Sequence, residues 1–186
     1  MGALRTLRSV VRLRRPERDR TLRRLREAAA VADLRRMAKK RLPGGVFDYI
    51  DGGAEDEITL GRNVEAYRRL EFRPRVLRGV AEADPSTTLL GRPVAFPYVT
   101  APIGFARIAD PDGELAVVRA AGRAGVPFTL STMGTRSIEE CAAVAGDGAR
   151  LWFQVYVWHD RDHIRNLVGR AAACGYEAIV LTVDTA

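Results

Sequence analysis

The sequence predicts an α/β fold in which short parallel strands alternate with helices, preceded by a helical N-terminal segment. Two observations support this prediction. Four short apolar runs end in hydroxyl, amide or carboxylate side chains, and stretches of helical period separate these runs. Apolar strands that alternate with helices indicate parallel pairing, with both faces of the sheet covered. The runs are FPYVTAP from Phe96, PFTLST from Pro127, LWFQVYVW from Leu151 and LTVDT from Leu181.

The length and composition fit one globular domain. The chain has 186 residues, of which 47% are hydrophobic, so it can bury a core. No apolar run approaches the roughly 20 residues of a membrane-spanning helix, and the N-terminus lacks the apolar region of a secretory signal. Cys141 and Cys174 lie far apart in helix-like stretches. We interpret them as buried, inert thiols of a cytoplasmic protein, with a disulfide as the alternative.

The positive charge of the chain belongs to its N-terminal part. Residues 1–41 contain 15 basic and 4 acidic residues, whereas the remaining residues contain 15 basic and 19 acidic ones. The slightly acidic body argues against nucleic-acid binding as the main function. We interpret residues 1–18 as a solvated, mobile arm. The alternative is peripheral contact with an anionic membrane at its inner face.

Helices and one small hairpin are predicted before the regular strands begin. Asp33 is predicted as the N-cap of the second helix. Pro43 suits the start of the third helix, and Gly52 suits its end. Prolines and short apolar pairs in residues 70–93 predict a hairpin or cap. The four predicted helices span residues 19–30, 33–40, 43–52 and 54–69.

The second half of the chain is regular, with about 25 residues in each strand-to-helix unit. Ser137 followed by Glu140 forms a capping-box pattern at one helix start. The period suits half of a (β/α)8 TIM barrel, truncated after about four strands. A flavodoxin-like open sheet has a similar period, but it normally begins without so long a preceding segment. The predicted strands span residues 96–100, 127–131, 151–157 and 178–183, and the helices span 114–124, 137–145 and 160–173.

This organisation predicts three regions and one functional edge. In parallel α/β folds, ligands bind at the carboxyl ends of the strands. Neither a dinucleotide-binding nor a P-loop glycine motif is present, and we interpret His159 and His163 as surface residues, not as a metal pair. The regions are a basic arm and helix (1–32), a helical cap segment (33–93) and the first half of a barrel (94–186). The side chains predicted to converge on the edge are Ser131, Gln154, Tyr156, Thr182 and Asp184.

Seven sequence pieces, in order, resemble the N-terminal half of the FMN-dependent 2-hydroxy-acid dehydrogenases and oxidases. That family includes L-lactate dehydrogenases and glycolate oxidases, and the long basic arm is most similar to the bacterial L-lactate dehydrogenase branch. The resemblance covers residues 33–186. The pieces are FDYIDGGAEDE (47–57), FRPRVL (72–77), TAPIGF (100–105), DGELAVVRAAGRAG (112–125), TLST (129–132), FQVYVW (153–158) and LTVDT (181–185).

The resemblance assigns roles to individual residues. Tyr49 matches a tyrosine that binds the substrate carboxylate, and Tyr156 matches a second tyrosine near the reacting hydroxyl. Asp184 matches the carboxylate that pairs with a catalytic histidine and stabilises its protonated form. Three side chains match groups that hydrogen-bond the flavin ring: Ser131, Gln154 and Thr182. Four small or apolar residues match backbone that lies against the ring: Ala101, Pro102, Ile103 and Gly104.

The implied reaction is FMN-dependent oxidation of an L-2-hydroxy acid, with L-lactate to pyruvate as the first choice. The basic arm favours a quinone or cytochrome acceptor over oxygen, and the full-length enzyme is expected to be a homo-oligomer. The family's catalytic histidine and arginine are expected well beyond Ala186. We therefore expect the 186 residues to be an incomplete, inactive fragment that is marginally stable alone. The alternatives are a non-catalytic half-barrel and a membrane-surface or partner-binding module.

Overall fold

The computed structural model of the protein describes residues 18–184 and divides into two compact units. The first unit is Met1–Val64 and the second is Glu65–Ala186. The predicted arm at residues 1–18 lies outside the described residues except for Arg18. Among residues 18–184, no helix is both long and apolar enough to cross a membrane.

The first unit is helical. Asp19 caps its first helix, because the Asp19 carboxylate accepts from Thr21 N at 2.7 Å and from Leu22 N at 3.2 Å. The third helix begins after Pro43 and ends before Gly52, as predicted. The helices are α1 (Arg20–Glu27), α2 (Val31–Arg41), α3 (Gly44–Asp51) and α4 (Ile58–Arg68), the last of which crosses the division between the units.

Two predicted helix starts in this unit are wrong. Asp33 is not an N-cap: α2 begins at Val31, and the Asp33 carboxylate reaches back to accept from Ala29 N at 2.9 Å and Ala30 N at 3.0 Å. It thus satisfies backbone donors of the helix start from within the first turn. The fourth helix begins at residue 58 and not at 54, because Glu55 and Glu57 adopt left-handed φ angles of 51° and 56°.

The first strands of the second unit form a hairpin, one of the two predicted alternatives. Strands β1 (Thr87–Leu89) and β2 (Arg92–Val94) pair antiparallel. Leu90 and Gly91 form the two-residue turn with φ angles of 49° and 74°, the signs that match the twist of a hairpin.

Three parallel strands follow, in the order β3-β4-β5. Asp160 and Ser137 cap helices as predicted, and Glu140 completes the capping box with Ser137. Because the strands are parallel and consecutive, their carboxyl ends meet at one edge of the sheet. The elements are α5 (Glu114–Ala124), β3 (Phe128–Leu130), α6 (Ile138–Val144), β4 (Leu151–Tyr156), α7 (Arg161–Ala173) and β5 (Ala178–Thr182).

The predicted strand at residues 96–100 is not a strand. Only Thr100 pairs with β3, through one parallel bridge to Phe128. Tyr98 N donates to Phe96 O at 2.7 Å, so the chain turns tightly where the strand was predicted. The Thr100 hydroxyl donates to Pro127 O at 3.3 Å and accepts from Thr129 N at 3.2 Å, and it thus replaces part of a strand ladder.

The core lies between the sheet and helices α5, α6 and α7. Phe153 meets the Tyr176 ring edge-on, with the ring centroids 6.3 Å apart. The Tyr176 hydroxyl donates to Ile138 O at 3.1 Å, so its one polar atom is paired inside the core. Val118, Leu130 and the other apolar side chains of this cluster come from all three helices, from β3 and β4, and from the short connections beside them.

Both cysteines are free, which rules out the disulfide between them. Cys141 is fully buried, whereas Cys174 is half-buried. Burial first, and the nearby Glu114 and Glu140 charges second, raise the pKa of the Cys141 thiol to about 12. We expect a disulfide reagent at pH 8 to label Cys174 in the folded chain and Cys141 only after unfolding. Rapid labelling of a folded Cys174→Ser variant would contradict this assignment.

Candidate functional site

Three polar side chains meet where β3, β4 and β5 end. The Ser131 hydroxyl donates to Gln154 Oε1 at 3.1 Å, and Gln154 Nε2 donates to Thr182 Oγ1 at 2.7 Å. The strand register explains this meeting, since Gln154 pairs with Val180 and Tyr156 pairs with Thr182. The sequence placed these side chains on one edge, and the structure joins three of them in one chain of hydrogen bonds, called the polar row below.

The loop after β3 fixes the orientation of the Gln154 amide. Thr132 N donates to Gln154 Oε1 at 3.0 Å, and the Thr132 hydroxyl donates to Gln154 O at 2.5 Å. Met133 N donates to Ser131 Oγ at 3.1 Å. Gln154 Oε1 therefore has two donors, and Gln154 and Ser131 are both buried. Among the described residues, the bonds above use one Gln154 N–H group and the Thr182 oxygen, and they do not use the second Gln154 N–H group or the Thr182 hydroxyl hydrogen.

Thr132 was missed as a site residue by the sequence interpretation. Its hydroxyl also accepts from Tyr156 N at 3.3 Å, so one side chain joins the loop to the end of β4 at two points. The available signal was the TLST run, in which hydroxyl residues follow an apolar strand directly. A hydroxyl that both donates and accepts backbone bonds is well suited to this bridging position.

The backbone of residues 101–104, called the wall below, lies beside the polar row. Ala101, Pro102 and Ile103 are exposed, and Phe105 N donates to Met133 O at 3.0 Å. A Cβ atom on Gly104 would come within 3.1 Å of Met133 Cβ, so glycine permits this close approach. Residues 101–103 are therefore exposed beside the loop that follows β3, and Gly104 packs closely against that loop.

The other predicted residues do not join the polar row. Tyr156 is half-buried at the end of β4, and Asp184 is exposed just beyond β5. Neither side chain takes part in the hydrogen bonds of the polar row. Tyr49 lies on α3 in the first unit, and 61% of its surface is exposed.

The two histidines are exposed, as predicted. The His163 ring stacks on Trp158, with ring centroids 5.5 Å apart and planes tilted by 16°. His159 is exposed in the turn before α7. Within residues 18–184, no group of three or more His, Cys, Asp or Glu side chains is arranged to hold a metal ion.

Comparison with known proteins gives consistent similarities. The family described as FMN-dependent dehydrogenase matches residues 38–186. A putative L-lactate dehydrogenase of Mycobacterium tuberculosis is 44% identical over 181 residues, which are 97% of this chain and 44% of that protein. Glycolate oxidase of Spinacia oleracea is 45% identical over 159 residues, 86% of this chain and 42% of that protein.

Solved structures resemble the chain equally well. The crystal structure of a mandelate oxidase matches with a TM-score of 0.79 and 43% identity, over 85% of this chain and 45% of that one. A putative lactate oxidase of Pediococcus acidilactici matches with a TM-score of 0.81 and 33% identity, over 85% of this chain and 44% of that one. The chain thus spans less than half the length of the relatives it matches.

Proposed function

Because the chain belongs to the FMN-dependent dehydrogenase family, we propose that its second unit holds the ring of FMN at the carboxyl edge of β3, β4 and β5. The reaction served is the oxidation of an L-2-hydroxy acid to a 2-oxo acid. Family membership confirms the predicted resemblance, and the similar solved structures confirm the predicted α/β barrel class. The three parallel strands of the chain are part of that barrel architecture.

The polar row is the observation that carries the proposal. The flavin ring offers carbonyl and N–H groups along one edge and is otherwise flat and uncharged. The hydrogens left over on Gln154 and Thr182 are neutral donors, which suit such carbonyl groups. The exposed residues Ala101, Pro102 and Ile103 beside the polar row offer an uncharged surface for a flat ring. The residues therefore fit the ring of FMN, and FMN when bound supplies the acceptor for the hydride of the substrate.

The remaining roles are proposals about this chain's own side chains. Tyr49 and Tyr156 are proposed to donate phenol hydrogen bonds to the substrate carboxylate and near its hydroxyl, because a phenol can do so without adding charge. Asp184 is proposed to orient a neutral histidine that removes the hydroxyl proton, and to stabilise the protonated form that this histidine then takes. The family resemblance assigns that base to neither His159 nor His163.

L-lactate is the proposed substrate, since the relative that matches 97% of the chain is named a putative L-lactate dehydrogenase. A chimera tests this proposal: the aligned part of the Mycobacterium relative is replaced with this chain. We expect anaerobic L-lactate to bleach the flavin of the chimera faster than glycolate or mandelate does. A chimera that holds FMN but is bleached by none of the three would contradict the enzymatic proposal. Quinone or cytochrome is proposed as the acceptor because of the basic arm, and a homo-oligomeric enzyme is proposed on the family resemblance.

The ring-binding proposal makes a prediction for the 186-residue chain itself. The described groups of the polar row are uncharged, so they suit a neutral ring and not a phosphate. We therefore expect FMN and riboflavin to bind with dissociation constants within about threefold of each other, a difference of less than ~1 kcal/mol. Quenching of flavin fluorescence measures both constants. Absence of quenching by either flavin would contradict ring binding by this chain.

A second candidate function rests on the first unit. Residues 18–41 contain ten basic and three acidic residues. An open groove of about 800 Å³ between α1 and α2 is lined by Leu25, Leu34 and Met37, with Arg24 and Lys40 beside them. This combination of apolar and cationic groups favours peripheral binding to an anionic membrane. Cosedimentation with anionic liposomes that falls as salt rises supports it, and salt-independent or absent binding contradicts it.

A further inference from the structure

Glu114 is a carboxylate buried beside the wall and outside the polar row. It is the first residue of α5, and only 3% of its surface is exposed. Thr135 N donates to Glu114 Oε1 at 2.7 Å, and the Thr135 hydroxyl donates to Glu114 Oε2 at 2.7 Å. A buried carboxylate is costly unless hydrogen-bonded, so these bonds hold Thr135 firmly in place.

Thr135 also binds the backbone segment that follows the wall. Its hydroxyl has one hydrogen, which goes to Glu114, and its oxygen accepts from Arg107 N at 3.2 Å. Two further bonds join the same segments: Phe105 N donates to Met133 O at 3.0 Å, and Arg136 Nη2 donates to Pro111 O at 3.0 Å. Three hydrogen bonds therefore connect residues 101–113 with residues 131–137. Glu114 binds Thr135, which makes the middle one of the three.

The packing between these segments leaves little room for movement. A Cβ atom on Gly113 would come within 3.4 Å of Thr135 Oγ1, and Gly113 has a left-handed φ of 54°. The contact of Gly104 with Met133 is similarly close. Close-packed groups transmit displacements to one another. A shift of Thr135 would therefore move the wall relative to Ser131, which lies in the same loop.

We propose that Glu114 and Thr135 are positioning residues for the flavin site. They set the spacing between the backbone wall at residues 101–104 and the polar row, so that one ring can contact both. This inference rests on the proposed function, but its structural part is testable in the chain without any flavin.

The first test measures amide hydrogen exchange in the flavin-free chain by NMR. Thr135→Val keeps the shape of the side chain but removes its donor and acceptor. We expect exchange at Phe105 and Arg107 to become about tenfold faster, as loss of one hydrogen bond worth about 1.4 kcal/mol allows. Thr135→Ser should restore slow exchange. Unchanged exchange at both amides, or an equal rise throughout β3, β4 and β5, would overturn the proposal.

The second test measures flavin affinity in the same variants. We expect Thr135→Val and Glu114→Gln each to weaken FMN binding about tenfold, with Thr135→Ser close to the unchanged chain. Glu139→Gln is the matched control. Glu139, on α6, makes an exposed ion pair with Arg170, on α7. If the unchanged chain binds no flavin, the proposed function fails while the exchange result stands. If it binds flavin and Thr135→Val binds equally well, the positioning inference fails.

Discussion

Replacing Arg150 with methionine is expected to lower the free energy of unfolding of the second unit by about 3–5 kcal/mol, because Glu177 loses its buried partner and keeps only the exposed Arg92, and two carbonyl groups lose their donors. Arg150 lies directly before β4, and 6% of its surface is exposed. Its Nε donates to Glu177 Oε1 at 2.6 Å, and its two Nη atoms donate to Arg92 O at 3.1 Å and Leu89 O at 2.7 Å. One guanidinium thus joins the hairpin to the starts of β4 and β5.

Urea unfolding followed by tryptophan fluorescence measures this loss. Arg165→Met is the matched control, since Arg165 forms an exposed ion pair with Asp162 and should cost at most about 1 kcal/mol. The double variant Arg150→Met with Glu177→Leu should recover part of the loss, because both charges are then gone. Equal effects of Arg150→Met and Arg165→Met would contradict the importance of the buried pair.

The same cluster predicts an acid-sensitive stability. Burial raises the pKa of Glu177, but hydrogen bonds from Trp152 and Arg150 outweigh burial and hold the pKa below its ordinary value. Because the pKa of Glu177 is lower in the folded chain than in the unfolded chain, ionised Glu177 stabilises the fold at pH values above the ordinary glutamate pKa of about 4.3. This contribution is lost as pH falls through the folded value. The unchanged chain and the Glu177→Gln variant should therefore differ less in free energy of unfolding below about pH 4 than at neutral pH.

Replacing Gln154 with leucine is expected to weaken flavin binding about a hundredfold, equivalent to roughly 2.7 kcal/mol. The change removes the amide that we propose as a donor to the ring, and also the bonds to Ser131, Thr132 and Thr182. Buried groups left without partners cost about 1–3 kcal/mol each, so the fold should lose stability as well. Flavin fluorescence and thermal unfolding measure the two effects separately.

Asn166→Leu provides the control for this experiment. Asn166 is an exposed amide on α7, so the same kind of change there should alter neither flavin affinity nor unfolding by a measurable amount. A Gln154→Leu variant that folds cooperatively and binds flavin like the unchanged chain would show that the polar row does not contact the ring. A variant that unfolds at room temperature would be studied through Gln154→Asn, which keeps both amide functions.

The sequence predicted elements well where the determining signals are local. Ser137 with Glu140, Asp160 before α7, and the hairpin between β1 and β2 depend on residues within a few positions of one another. The prediction of a strand at residues 96–100 was wrong, because strand pairing depends on a partner, and β3 meets this segment only at Thr100. Asp33 was misassigned because a carboxylate can cap a helix start from inside the first turn as well as from the N-cap.

In the candidate site, too, some features could be predicted from local sequence and others depend on distant residues. Their position near the carboxyl ends of parallel strands was enough to place Ser131, Gln154 and Thr182 on one edge, since such ends meet at the same edge. The link between Glu114 and Thr135 was not predictable, because it joins residues 21 positions apart through the path of two loops. No local pattern distinguishes a buried helix-start glutamate from an exposed one.

The attachment of the hairpin to the later strands has a consequence for the order of events during synthesis. Arg150 contacts Arg92 and Leu89 across 58 and 61 residues, and Arg92 pairs with Glu177 across 85 residues. A ribosome that adds roughly 5–20 residues per second needs roughly 4–17 s to cover the longest of these separations. During that interval the hairpin has emerged but its arginine and glutamate partners have not. Chaperones that recognise exposed β-strand edges therefore have a defined period in which residues 87–94 are the available target.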